Sequence, residues 1–206
     1  MEEYILCLCG SFSPPTTGHI GMLTVARNYY TSIGKTVKKC LVIPTNDAYG
    51  KKSLVPARTR IEMCELAVQG TGFIECETYE AELDHWVTTV TTFRHLKEKY
   101  PGCRPILICG EDLLLNFYDK WDPDSIKELL TDCGICIFER KMPVEIDESR
   151  IPYFTEIRDN IVYIDDNPFD KLSSTVVRGL CAKHMEITGF VPTALAGYIK
   201  RNKLYE

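Results

Sequence analysis

Six short apolar runs alternate along the chain with longer stretches whose apolar residues recur near helical spacing. The first run, YILCLC (Tyr4 to Cys9), is continuous rather than alternating, the pattern of a strand buried on both faces of a parallel sheet. HIGMLTVARNYYTSIG then predicts a helix closing at Gly34. KKCLVIP predicts a second strand and TNDAYGKKSL a polar loop. PARTRIEMCELAVQG predicts a helix with Pro56 at its first position and Gly70 at its end. FIECETYEAE reads as a third, shorter strand with its exit, and HWVTTVTTFRHLKEKY as a helix whose threonine-rich front is weak for that state.

RPILICGED predicts a fourth strand running into a loop. LLLNFYDKWD and PDSIKELLTD predict helices with Trp121 between them, and CGICIFER a fifth strand. Pro143 to Pro152 reads as a loop, RIPYFTEIRDN as a helix and IVYIDD as the sixth strand. LSSTVVRGLCAKH starts a helix behind a Ser/Thr cap, and GFVPTALAGYIKRNKLY supplies the last one. Strands alternating with helices throughout predict an α/β fold: a doubly wound parallel sheet, Rossmann-like, in a single domain over residues 1–206. In such sheets a ligand sits outside the carboxyl ends of the strands. The loops to inspect therefore follow Cys9, Pro44, Cys109 and Asp165.

Composition narrows the class. The 206 residues are 45% hydrophobic and 26% charged, enough apolar material for a sizeable core. A net charge of -5 speaks against a general nucleic-acid binder, while leaving room for a phosphate-bearing small molecule that needs only a few local cations. No apolar stretch is long enough to span a membrane, and MEEYILCLCG carries acids where a signal peptide has a basic region, so a cytoplasmic address is expected. Of the 10 cysteines, Cys133 and Cys136 form a CxxC without a second pair to complete a zinc set. Core packing is the favoured reading for them, and no disulfide framework is expected.

The loops at the strand ends carry the candidate chemistry. GSFSPPTTGH offers Gly10, Ser11, Thr16, Thr17 and His19; TNDAYGKK offers Lys51 and Lys52. CGEDL offers Gly110, Glu111 and Asp112; KLSSTVVR offers Ser173, Ser174, Thr175 and Arg178. Main-chain amides, hydroxyls at a helix start and an arginine one turn further on are groups that bind phosphate. Each has a plainer reading taken singly: SST can be a cap alone, a histidine at a helix start can be structural, and two lysines can be a solvated face. There is no GxxxxGK[ST] and no GxGxxG after the first strand. No nucleophile stands with its base, so direct phosphoryl or nucleotidyl transfer, where positioning and charge neutralisation dominate, fits better than covalent catalysis.

GSFSPPTTGH resembles the first nucleotide-binding motif of the HxGH-signature adenylyltransferases, and LSSTVVR their second, usually written ISSTxxR. NDAYGKKSLVPARTRIEMCELA, the segment from His85 to Thr89, CGEDLLLNF, Trp121 and the C-terminal VP...YI..N.LY resemble the eukaryotic-type nicotinamide/nicotinic acid mononucleotide adenylyltransferase family, over about Tyr4 to Tyr205. The resemblance implies transfer of the adenylyl group of ATP to either mononucleotide, with Mg2+ carried on the ATP and no covalent intermediate.

It further implies that Gly10, Ser11 and Phe12 bring backbone groups to substrate phosphates, and that His19 and Arg178 are catalytic. His19 would contact the ATP phosphates, with Ser174, Thr175 and Arg178 on the β- and γ-phosphates. Gly110 and Asp112 would bind the adenosine side. Lys51 would lie near the mononucleotide phosphate, Trp86 and Trp121 would sandwich the pyridine ring, and Thr89 would lie near the carboxamide. The helical part from about residue 173 to 206 would carry the second ATP motif.

The resemblance also admits a homo-oligomer. Thr16 stands where the signature has its first histidine, and Glu111 where a small residue is common. Two alternatives stay open: an adenylyl- or cytidylyltransferase for another phosphate such as phosphopantetheine, and a non-catalytic, chaperone-like protein of the same fold.

Overall fold

A computed structural model of the chain describes residues 2–50, 54–113, 120–139, 158–165, 168–169 and 171–206. Six strands among them form one sheet: β1 (Glu3–Gly10), β2 (Thr36–Pro44), β3 (Ile74–Cys76), β4 (Cys103–Gly110), β5 (Gly134–Phe138) and β6 (Ile161–Ile164). Their order is β3-β2-β1-β4-β5-β6, and every pairing is parallel. The order runs outward from β1 in one direction and from β4 in the other, so the doubly wound expectation holds. The switch point, where such sheets bind ligands, falls between β1 and β4.

The alternation of side chains along β1 divides the core. Ile5 and Cys7 face a cluster with Val90, Phe93 and Leu96 of α4 (Thr89–Lys99) and Ile126 and Leu129 of α5 (Pro123–Asp132). Tyr4, Leu6 and Leu8 face Met22, Leu23 and Ala26 of α1 (Thr17–Ser32) and Cys64 of α2 (Ala57–Val68). A third cluster seats α6 (Ser174–Cys181) and α7 (Thr193–Arg201) on α2 through Met63, Ala67, Val177, Leu195 and Ile199. Cys133 and Cys136 belong to opposite sheet faces, the first in the α4–α5 cluster and the second in the α1–α2 cluster. Burial pushes both thiols up to about 12, and the pair is core packing rather than a metal or redox site.

Several boundaries differ from the sequence reading. The strand in FIECETYEAE is only Ile74–Cys76, and Tyr79–Glu82 forms a helical turn, α3. The threonine-rich front of the next helix is a cap: Thr88 takes the N-cap position and its hydroxyl accepts the Thr91 amide at 3.3 Å. That leaves His85 and Trp86 in a loop before α4 rather than on the helix. Pro56 stands at the N-cap position of α2, one residue before its first helical residue, Ala57. Most of LLLNFYDKWD and of RIPYFTEIRDN lies outside the described residues; Arg158–Asn160, at the end of the latter, is a single 3-10 turn.

Two glycines of α1 set how closely the segment before α6 approaches. A Cβ on Gly18 would lie 3.0 Å from Leu172 Cβ, and one on Gly21 would lie 2.2 Å from Phe169 Cζ. The absent side chains let this segment lie against the helix, which brings α6 to the start of α1. We expect Gly21→Ala to lower stability. Overpacking of about 1–3 kcal/mol outweighs the gain in helix propensity of about 1 kcal/mol. Urea denaturation checks this, and a more stable variant would mean that Phe169 does not occupy that face.

Candidate active site

The loop from β1 to α1 begins at Gly10 and includes a cis Ser13–Pro14 peptide bond. Phe12 adopts φ 42°, an uncommon conformation for a bulky residue, and its ring is buried against Gly10 and edge-on to His19. The side chain of Phe12 is therefore structural here, whatever its backbone does.

The carbonyls of this loop are taken by three side chains from two helices, α2 and α6. Arg60 Nη1 donates to Ser11 O at 3.2 Å, Arg178 Nη1 to Ser13 O at 2.8 Å, and Ser174 Oγ to Pro14 O at 2.8 Å. The Ser13 hydroxyl shares a 3.0 Å hydrogen bond with Tyr205 Oη, which burial pushes up to about 12. A loop built to receive anionic phosphate should keep its own acceptors away from the ligand, and these bonds do that.

His19 lies in the first turn of α1, held by a reciprocal cap. Thr16 N donates to His19 Nδ1 at 2.9 Å, while Thr16 Oγ1 accepts from His19 N at 3.4 Å. Because the backbone N–H can only donate, Nδ1 carries a lone pair and the neutral imidazole holds its proton on Nε2. Thr16 itself is buried, with its hydroxyl 2.9 Å from Nδ1.

The other predicted residues among those described fall in three groups. Ser174, Thr175 and Arg178 share the first turns of α6, where Arg178 Nη2 donates to Thr175 Oγ1 at 3.1 Å. With His19 and Gly10 they form one constellation beside the end of β1. Gly110 ends β4, and the next amide, that of Glu111, donates to Phe138 O at 3.1 Å; Asp112 is exposed just beyond. Trp86 is 48% exposed in the loop before α4, Thr89 is the first residue of that helix, and Trp121 packs half-buried against the α4–α5 cluster. Lys51 and Lys52 lie outside the described residues.

Sequence reasoning gave no role to the residues that hold these loops in place. Arg60 is fully buried; besides Ser11 it donates to Val55 O at 3.0 Å and to Asp47 Oδ1 at 2.8 Å. Asp47 Oδ2 in turn accepts the Ala57 amide at 3.0 Å. Burial opposes the charge of Asp47, but the Ala57 amide and Arg60 outweigh it and hold the carboxyl below its ordinary value. The spacing PARTR gave no sign of this, since an arginine on a helix usually faces water. Among the described residues no group of three or more His, Cys, Asp or Glu could hold a metal ion, and no helix is long and apolar enough to cross a membrane.

Comparison with known proteins places this geometry. The cytidylyltransferase-like family model matches residues 7–180. A nicotinamide/nicotinic acid mononucleotide adenylyltransferase of Oryza sativa subsp. japonica is 33% identical, covering 98% of this chain and 86% of the relative. One of Arabidopsis thaliana is 30% identical, covering 98% and 89%. Among solved structures, the Plasmodium falciparum nicotinic acid mononucleotide adenylyltransferase complexed with NaAD aligns over 100% of this chain and 98% of that one. Its TM-score is 0.74 at 21% identity, a likeness of fold.

The Arg60 junction yields a stability prediction. Arg60→Ala leaves the Ser11 and Val55 carbonyls without their donor, at about 1–3 kcal/mol for each group left buried, and should lower the unfolding free energy by about 2–4 kcal/mol. Arg60→Lys should recover little of this, because an ammonium cannot reproduce the planar fork. A lowered carboxylate pKa adds stability that is full above the ordinary carboxylate range and lost as pH falls through the lowered value. The variants should therefore lose less stability than the parent on acidification. Urea midpoints at neutral and acid pH test both points, and a lysine variant as stable as the parent would refute the fork.

Proposed function

Because the chain belongs to the cytidylyltransferase-like family, and within it to the nicotinamide/nicotinic acid mononucleotide adenylyltransferases, we propose that it transfers the adenylyl group of ATP to nicotinamide mononucleotide or its acid analogue. The products are NAD, or the acid dinucleotide, and pyrophosphate. The carrying observation is the joint made by Arg178 and Ser174 with the Ser13–Pro14 carbonyls, which sets the second motif against the first at the switch point of the sheet. The family's reaction needs those two motifs on one triphosphate.

In this reading a 5′-phosphate oxygen of the mononucleotide attacks the α-phosphorus of ATP, forming the new P–O bond as the α–β bridging bond breaks and pyrophosphate departs. Magnesium, carried in on the triphosphate, supplies charge neutralisation. His19 Nε2–H donates to the triphosphate where charge develops, which the Thr16–Nδ1 bond supports by fixing the tautomer. Arg178 has five donors, and its bonds to Ser13 and Thr175 leave others for the β- and γ-phosphates, beside the hydroxyls of Ser174 and Thr175. Gly10 and Ser11 present backbone to the phosphates; Gly110 and Asp112 take the adenosine side.

Lys51, Trp86, Thr89 and Trp121 take the mononucleotide, with a pyridinium ring stacking on indole. Trp86 and Trp121 flank two helices packed on the same sheet face, which suits two walls of one pocket. The whole chain acts as one unit, α6 and α7 carrying the second motif. The absence of disulfides among the described residues, which include every cysteine, fits work in the reducing cytoplasm.

Purified protein with magnesium, ATP and either mononucleotide should yield the corresponding dinucleotide and pyrophosphate by chromatography. No product from either, with turnover of phosphopantetheine or CTP instead, would move the chain elsewhere in the superfamily. His19→Ala should lower kcat by about 100-fold or more, the loss seen when one preorganised donor to a developing oxyanion is removed. Near-normal turnover would remove His19 from the mechanism.

A further inference from the structure

Four buried polar residues form a knot that the proposed chemistry does not use. Thr45, Asn46, Glu80 and Thr92 are all under 10% exposed: 7%, 3%, 5% and 0% respectively. Thr45 Oγ1 donates to Glu80 Oε1 at 2.7 Å, and Thr92 Oγ1 to Glu80 Oε2 at 3.1 Å. Asn46 Nδ2 donates to the Glu80 carbonyl at 3.2 Å and to the Leu83 carbonyl at 2.5 Å. The Thr92 amide donates to the Thr88 carbonyl at 3.1 Å.

Three segments meet here: the residues following β2, the turn α3, and the first turn of α4. A carboxylate in such a place is costly unless it has partners. Burial pushes the Glu80 carboxyl up, against the pull of its hydrogen-bond donors. The knot therefore has a destabilising member that a purely structural contact could replace with an apolar one.

What the knot encloses gives it a use. Leu83 and Thr88 are the two ends of the loop that carries Trp86: the Leu83 carbonyl accepts Asn46 Nδ2, and Thr88, the N-cap of α4, stands one turn before Thr92, whose hydroxyl bonds Glu80. Trp86 is 48% exposed, so about half of its side chain is open to solvent. On the other side, Asn46 precedes Asp47, which Arg60 joins to Ser11 in the phosphate loop. We propose that Glu80, bonded by Thr45 and Thr92, is a positioning residue: it sets the Leu83–Thr88 loop, and with it the face of Trp86, for the pyridine ring of the mononucleotide. This rests on the assignment of Trp86 to the mononucleotide site. Glu80 reaches no substrate atom in this role; it acts through the loop.

The test is steady-state kinetics on Glu80→Ala, Glu80→Gln, Thr92→Val and Trp86→Ala, varying each substrate at saturating levels of the other, with melting temperatures and calorimetric mononucleotide affinity alongside. Glu80→Ala and Thr92→Val should each raise the mononucleotide KM and dissociation constant about tenfold, since small misplacements of a binding group are costly. The ATP KM and kcat should stay within about twofold, the signature of lost ground-state positioning rather than lost chemistry.

Glu80→Gln should restore near-parental affinity, because threonine hydroxyls donate or accept and can rotate to satisfy an amide. A lower melting temperature with unchanged mononucleotide affinity in Glu80→Ala would overturn the proposal in favour of a structural knot. So would a glutamine variant as impaired as the alanine one. If Glu80→Ala does not fold, Thr92→Val, close in shape, decides the same question. Trp86→Ala separates the levels: unchanged affinity there removes the site assignment and this proposal with it. Weakened affinity in Trp86→Ala with parental affinity in Glu80→Ala and Thr92→Val removes this proposal alone.

Discussion

The loop between β1 and α1 is fixed by its oxygens. Ser11, Ser13 and Pro14 each give a carbonyl to a side chain from elsewhere: Arg60 on α2, and Arg178 and Ser174 on α6. A short loop containing two prolines has few amides with which to hold itself, so its conformation depends on donors brought from outside. Two of those donors are guanidinium groups, which can bond a carbonyl and still offer N–H groups in other directions. Of the three donors, Arg178 and Ser174 are also the residues proposed to hold the triphosphate, while Arg60 is scaffold alone. The three bonds run in one sense only, with two guanidinium groups and a hydroxyl donating and the loop accepting.

Those donors can arrive only because other positions are small. Gly18 and Gly21 place the segment before α6 directly on α1, and the apolar contacts of α6 and α7 with α2 hold it there. Arg60 sits between the two assemblies, reaching Ser11 in one direction and Asp47 in the other. From Asp47 the chain steps back one residue to Asn46, and so to Leu83 and Glu80. The β1–α1 loop and the loop of Trp86 are thus connected through a few polar groups, of which Arg60, Asn46 and Glu80 are buried and Asp47 is exposed. Buried polar networks of this kind fix geometry more tightly than hydrophobic contact, which tolerates sliding, at the cost of needing every member satisfied. No buried side-chain nitrogen or oxygen among the described residues lacks a partner.

How much of this was legible follows from what a local pattern can encode. The six strands were readable because each is a short apolar run between breakers, and the parallel sheet because strands alternate with helices. The candidate phosphate-binding loops stood out because glycine, hydroxyls, histidine and arginine cluster within them. Positions fixed by distant partners were not. The spacing around Arg60 predicts an ordinary surface arginine; its burial is decided by Ser11, 49 residues away, and Asp47, 13 residues away. Glu80 looked like the exit of a strand, yet its partners are 35 and 12 residues distant. Trp86 looked helical because the threonines after it share a helix; the Thr88 N-cap, a side-chain event, starts the helix only at Thr89. Gly18 and Gly21 drew no attention because a glycine inside a helix shows its reason only when the opposing surface is known.

The substitution of threonine for the first histidine of the signature gains a physical account from the cap. A histidine at position 16 would add a second imidazole; threonine instead adds its hydroxyl to a lock on the one at 19 whose other half is the main-chain amide. Its amide bonds Nδ1 and its hydroxyl sits beside the same nitrogen while accepting the His19 amide. Lone-pair occupancy of Nδ1 then leaves a single outcome for the neutral ring, a donor at Nε2. Phe12, edge-on to that ring at 5.1 Å between centroids, limits its rotation. A loop with one imidazole has one ring N–H donor where two imidazoles would have two, so the direction of that donor matters more. The strained backbone of Phe12 and the cap of Thr16 act on that one variable.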